Sequence, residues 1–235
     1  MVLNPSEDIQ AVSTREILDP GKTALIPIDL QYASACRTTG LGKIWKEQGK
    51  QALWRYRFDR IEQIVIPNVQ QLLNFFRKHQ LRIMHITVGS QMPDYSDIMP
   101  HKVAFRKLLN NRLGEREHEI LDEVKPLPGE LVINKTTTGA FNSSPIDSVL
   151  RSMGIQYCLF AGVSTDMCVE GTVRDAADRG YNVVLIEDAC AANKKEYHDA
   201  AVSAIQRSYG RVCTTVDIIK ELEDVLRSAE KKPRF

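Results

Sequence analysis

Residues Tyr157 to Asp188, YCLFAGVSTDMCVEGTVRDAADRGYNVVLIED, decide the fold. They read as strand, sharp turn, helix, turn and strand. The apolar run Tyr157 to Ala161 ends at Gly162. Ser164, Thr165 and Asp166 follow as a helix-entry signal. Val169, Val173, Ala176 and Ala177 continue an apolar stripe at helical spacing. Gly180 closes the helix, and Val183 to Ile186 form the next strand. Cys168 therefore falls in the first turn of a helix that starts where a strand stops. Unpaired backbone N–H groups and the positive end of the helix dipole favour thiolate over thiol at such a position.

Outward from this unit the chain repeats the pattern. Thr23 to Asp29 (TALIPID) is a first strand, buried on both faces, with a bulge or an unpaired position expected at Pro27. Gln31 to Gly49 reads as a loop, with room for a short helix over Leu41 to Lys46. Ile61, Ile64, Val65, Val69, Leu72, Leu73 and Phe76 predict a helix from Arg57 to His79, kinked or restarted at Pro67. Leu81 to Val88 is the second strand. Leu131 to Asn134 is the third, and Pro145 to Met153 is a helix with proline in its first turn. Glu196 to Tyr209, Arg211 to Thr214 and Val216 to Leu226 read as helix, sixth strand and helix. Gly89 to Pro128 has no strong period and is long for a connection, as lids and binding loops are. Strands separated by helices of this length predict βαβ units with right-handed crossovers and an α/β fold. One domain over residues 1–235 is the simpler organisation, with a polar lead-in over 1–20 and a tail over 230–235.

With 235 residues, 43% apolar and 26% charged, the chain suits a globular domain. A formal net charge of +1 gives no electrostatic case for nucleic acid or a membrane surface. No apolar run is long enough to span a bilayer, and the N-terminal residues lack the pattern of a signal peptide. Cys36, Cys158, Cys168, Cys190 and Cys213 show no paired spacing, which speaks against a disulfide framework or a structural zinc site. A cytoplasmic location is expected.

In an open parallel sheet, ligands bind beyond the carboxyl ends of the strands. Asp29 ends strand one, Lys135 follows strand three and Cys168 follows strand four. An acid, an ammonium and a thiol at one sheet edge form a nucleophile set. Singly, each has an ordinary structural reading as a turn acid, a surface lysine or a buried filler thiol. No histidine completes a Cys–His pair by a local signature.

The segments ALIPIDLQ, VINKTTTGAF and AGVSTDMCVEGTVRDAADRGYNVVLIEDA resemble the three signature blocks of the isochorismatase-like cysteine hydrolases, over about Thr23 to Leu226. The resemblance implies a three-layer α/β/α fold with a six-stranded parallel sheet in order 3-2-1-4-5-6. It places Asp29, Lys135 and Cys168 on the family's catalytic triad and Val163–Ser164 on its cis peptide. The backbone N–H groups of Ser164 and Cys168 fall on its oxyanion hole. It implies hydrolysis of a small amide, ureido or carbamoyl substrate through a thioester, by a homodimer or homotetramer. The block TTTGAFNSSPIDSVLRSMGI is closest in style to the ureidoacrylate amidohydrolase branch. Gln31, Tyr32 and Phe141 flank the triad in sequence and are expected pocket walls, with ordinary packing as the competing reading.

The chain departs from other branches. The metal cluster of nicotinamidases needs Asp-x-His after strand two, where this chain reads GSQMPDYSD. His101 lies further on, and His79 and His85 read as core or surface histidines. Neither a metal nor another cofactor is expected. Isochorismatases proper lack the nucleophilic cysteine, so Cys168 counts against vinyl-ether hydrolysis. Asp188 and His198 match family positions and read as structural. The run IWKEQGKQALWRYRFDR (Ile44 to Arg60) reads as a lid, an oligomer arm or an amphipathic helix with a solvated basic face. Two other classes stay open: a non-catalytic binding member of the fold, and a nucleotide-binding domain. The latter lacks a glycine-rich phosphate turn.

Overall fold

The structure, a computed structural model, describes residues 18–230. Residues 1–17 of the expected lead-in and 231–235 of the expected tail lie outside the described residues. Residues 18–20 already belong to the fold: Leu18 is buried, and the Asp19 carboxylate accepts from the Gly21 N–H at 3.0 Å.

Six strands form one parallel sheet: β1 (Thr23–Ile28), β2 (Arg82–Val88), β3 (Leu131–Lys135), β4 (Tyr157–Val163), β5 (Asn182–Ala191) and β6 (Arg211–Cys213). Their order is β3-β2-β1-β4-β5-β6, as the resemblance implies. The central strands β1 and β4 are buried at every residue, which explains their unbroken apolar sequence. Two cores flank the sheet. Leu25, Leu159 and Val184 face Val69, Leu72, Phe76 and Leu222 on one side. Ile26, Phe160 and Leu185 face Ile146, Leu150, Val173 and Ile205 on the other. Alternate side chains of each strand thus feed opposite layers.

Pro27 creates an unpaired position and no bulge. The β1–β4 ladder runs unbroken from Thr23↔Tyr157 to Ile28↔Gly162. The β1–β2 ladder skips Ile26 and Pro27 and resumes in the same register at Ile28↔Ile86. The missing proline N–H therefore faces β2. The irregularity lies in β5 instead, where Phe160 pairs with Leu185 but Gly162 pairs with Cys190. β5 runs on to Ala191, past the expected end at Ile186. Glu187 and Asp188 look like a strand end in sequence. Their acids are absorbed by Arg60 and by the N–H and hydroxyl of Thr215.

Around Pro67 the helix neither stops nor restarts. Arg55–Arg60 passes through a π-turn, Ile61–Val65, into Ile66–Lys78. The Ile66 N–H bonds the Ile61 carbonyl, one residue beyond α-helical reach. This widened turn relieves the clash that proline makes with the preceding turn. Gly162 sits in the left-handed half of backbone space, at φ +117°, and a Cβ there would overlap the Ile28 carbonyl. At this point near the ends of β1 and β4 the two strands leave no room for a side chain.

The segment 89–128 is ordered without periodicity. It holds one short helix, Val103–Leu108, and several 3-10 turns. Discrete bonds pin it: Leu113 N–H to the Ser90 carbonyl at 2.8 Å and Leu121 N–H to the Leu30 carbonyl at 2.9 Å. No helix among the described residues is long and apolar enough to cross a membrane.

Candidate active site

Asp29 directly follows β1 and turns sharply, with φ +52°. A non-glycine residue rarely adopts this conformation, although aspartate tolerates it better than most. The turn swings the carboxylate beyond the sheet edge. The Asp29 N–H donates to the Ile86 carbonyl, and the Ser34 hydroxyl donates to the Asp29 carbonyl, so the strained residue is tied on both sides. Lys135 ends β3 and is fully buried. Its Nζ donates to Asp29 Oδ2 at 2.9 Å and to the Thr137 carbonyl at 3.2 Å. Asp29 Oδ1 accepts no hydrogen bond from any described residue.

Cys168 lies in a π-turn, Thr165–Val169, that precedes the helix Glu170–Asp178. The Val169 N–H reaches back to the Ser164 carbonyl, and the Thr172 hydroxyl donates to the Cys168 carbonyl. The Val163–Ser164 peptide bond is cis. Ser164 does not cap the helix; its hydroxyl accepts from Arg57 Nη1 at 2.7 Å.

The expectation of a thiolate at Cys168 is corrected. Burial pushes the thiol up to about 11, and the Asp29 carboxylate pushes in the same direction. Lys135 and Arg106 pull it down but do not overcome these effects. The resting group is a thiol beside a carboxylate, which suits proton transfer during attack rather than before it.

Asp29, Cys168 and Ser164 line a cavity of about 380 Å³. Two segments for which the sequence offers a lid as one reading contribute to its lining. From Ile44 to Arg60 come Trp45 and Trp54, their rings stacked 3.5 Å apart and parallel to within 1°. Arg57, from the same run, is only 1% exposed. It donates to the Ser34 carbonyl, Ser164 Oγ and Asn193 Oδ1, and burial pushes it down to about 10. The solvated basic face expected here is therefore corrected at Arg57, because three polar partners converge on it. From 89–128 come Lys102, Phe105, Arg106 and Leu109.

The expected walls Gln31, Tyr32 and Phe141 lie elsewhere. Gln31 is fully buried and acts as a brace, donating to the Val88 and His118 carbonyls and accepting from the Val88 N–H. Tyr32 bonds Asp122 at 2.9 Å beneath the Arg116 guanidinium. Phe141 packs against Tyr181. Adjacency in sequence misleads here, because the chain turns each side chain away from the sheet edge within one or two residues.

Asp188 and His198 serve the scaffold. Asp188 anchors Thr215, and His198 Nδ1 meets the Thr165 hydroxyl at 2.9 Å, steadying the turn that carries Cys168. His85 pairs with Glu130 at 3.0 Å, remote from the cavity lining. No cluster of three His, Cys, Asp or Glu among the described residues is placed to hold a metal ion. Sequence reading missed Arg106 altogether. One signal was available: no acid occurs between Asp97 and Glu115, so a basic helix there has no local counter-charge.

A model of the isochorismatase domain matches residues 23–217. Ureidoacrylate amidohydrolase RutB of Caulobacter segnis is 39% identical over 105 residues, which cover 44% of this chain and 44% of that protein. The match thus spans less than half the length of the curated relatives. Among solved structures, a cysteine hydrolase from Pseudomonas syringae shares the fold, with TM-score 0.74 at 22% identity over 89% of this chain and 96% of that one. So does an isochorismatase family protein from Desulfovibrio vulgaris, with TM-score 0.69 at 23% identity over 88% and 98%. Matched over most of its length, the chain belongs to the isochorismatase domain family.

Proposed function

We propose that this protein is a cysteine amidohydrolase that cleaves a small amide, ureido or carbamoyl C–N bond through a thioester on Cys168, without a metal. The observation that carries the reading is the buried Lys135–Asp29 pair, at 2.9 Å, with the carboxylate acting electrostatically on the Cys168 thiol at the floor of the cavity. The similarity to ureidoacrylate amidohydrolase supports the bond type.

The steps follow from the groups present. Cys168 Sγ attacks the carbonyl carbon as Asp29 takes the thiol proton. The carbonyl π pair moves onto oxygen, held by the backbone N–H groups of Ser164 and Cys168. The C–N bond breaks, and Asp29 passes the proton to the departing nitrogen, leaving a thioester and a free amine or ammonia. Water then adds while Asp29 accepts its proton, the C–S bond breaks, and the proton returns to Sγ. One water is consumed per C–N bond. Lys135 keeps the carboxylate oriented and compensates its charge throughout.

Ammonia release from a panel of ureido acids and primary amides tests the proposal. Turnover that is abolished by Cys168→Ala and unaffected by a chelator is the expected result. Full activity in Cys168→Ala would sink the mechanism. A Cys168 no more readily alkylated than buried Cys158 or Cys190, together with no turnover, would favour a non-catalytic binding role.

A further inference from the structure

Arg106 is the anomaly of the cavity. It is 8% exposed, yet its Nε has no hydrogen-bond partner, and its guanidinium makes no ion pair or side-chain hydrogen bond with any described residue. It lines the same cavity as Cys168 and is close enough to act electrostatically on that thiol. With its Nε buried and no counter-charge among the described residues, this guanidinium is unfavourably placed, and an anion entering the cavity would supply the partner it lacks. The described residues do not supply one. Among them, Asp29 is the only carboxylate lining the cavity, and Lys135 already holds it. Arg57, the other buried arginine there, already places four hydrogen bonds on Ser34, Ser164 and Asn193. Lys102 stands nearby, its Nζ 5.9 Å from the Phe105 ring centre, and adds positive potential.

We propose that Arg106 determines substrate specificity by binding a carboxylate, so that the substrate is an amide or ureido acid with its reacting carbonyl at Cys168 and its acid group at Arg106. This deepens the amidohydrolase reading and rests on it. A planar guanidinium with free donors matches a carboxylate in two-point geometry. The apolar surfaces of Trp54, Phe105 and Leu109 in the same lining suit a short carbon linker. Removing water from this space strengthens the ion pair that the substrate completes.

The test reads binding separately from turnover. Iodoacetamide alkylation of Cys168 is timed with and without succinate, a small dicarboxylate, and with its neutral dimethyl ester. Succinate is expected to slow alkylation of the wild type and the ester is not. In Arg106→Met the succinate concentration needed for protection rises at least tenfold; in Arg106→Lys it rises less. The thermal midpoint of ligand-free Arg106→Met stays level or rises, because an unpaired buried charge has gone. In turnover, Arg106→Met raises KM for ureido acids far more than it lowers kcat, and acids lose their advantage over the corresponding methyl esters. Undiminished protection in Arg106→Met, or protection lost only in Lys102→Met, overturns the assignment. Because protection needs no chemistry, it can fail while amide hydrolysis stands, and succeed where hydrolysis fails.

Discussion

The floor and the roof of the cavity are built in opposite ways. The floor consists of strand ends and the turn after β4. Asp29, Lys135 and Cys168 are placed by ladders that pair nearly every residue of β1, β3 and β4, and both charges are buried against each other. The roof has no ladder. Its two segments hang on discrete bonds, chiefly the Arg57 fan and the Gln31 brace, and it carries an unpaired arginine and an exposed Phe105. A chemical step needs sub-ångström placement, which a sheet provides; selection among substrates needs shape and charge, which a loop can vary without disturbing the sheet.

This division can be broken most sharply at the floor. Asp29→Asn removes the proposed base while keeping a residue that tolerates positive φ. Turnover should fall by about 10²–10⁴-fold, the usual worth of a general base. Iodoacetamide alkylation of Cys168 near pH 8 should instead accelerate, because the carboxylate that raises the thiol pKa is gone and Lys135 remains. In the wild type, alkylation should keep rising with pH towards about 11. If both readouts fall together, Asp29 serves only to hold the fold.

The next largest effect belongs to the link between the two regions. Arg57→Met should cost about 2–4 kcal/mol of stability, read from urea unfolding, because it strands the Ser164 hydroxyl and the Ser34 carbonyl. The surviving folded fraction should show a raised KM with its thiol reactivity preserved. A normal KM would mean that the roof does not depend on this anchor.

The smallest effect lies away from both. Burial pushes the Glu130 carboxyl up, but Arg77, the Leu127 N–H and His85 outweigh it and hold the group down at about 2, below the usual carboxylate range. A depressed folded-state value means that the contribution is complete above about pH 4.5 and disappears as pH falls through 2. Glu130→Gln should therefore cost about 1–2 kcal/mol at neutral pH and almost nothing near pH 2, read from denaturant midpoints across that range, with activity at neutral pH unchanged.

The floor was legible in the sequence because its residues announce themselves by position. Unbroken apolar runs such as TALIPI and YCLFAGV are strands covered on both faces, and the first polar residue after each run stands at the ligand-binding edge. The roof was not legible, because the environment of an arginine is set by what meets it. The partners of Arg57 come from 23, 107 and 136 residues away. The stacked tryptophans lie nine positions apart across an irregular turn, and the order of 89–128 rests on single bonds rather than a repeating stripe. The thiol misled for a related reason: a helix start suggests thiolate, but the π-turn sets a half-buried sulfur beside an acid.

Gly162 carries no functional group, and yet it sets the gauge of the cavity floor. Any side chain there would wedge Ile28 away from β4, one residue before Asp29 and six before Cys168. The spacing between the proposed base and nucleophile is thus held by a missing carbon. Gly162→Ala should spread the two strands at their tips, leaving each reactive group chemically intact and out of step with the other.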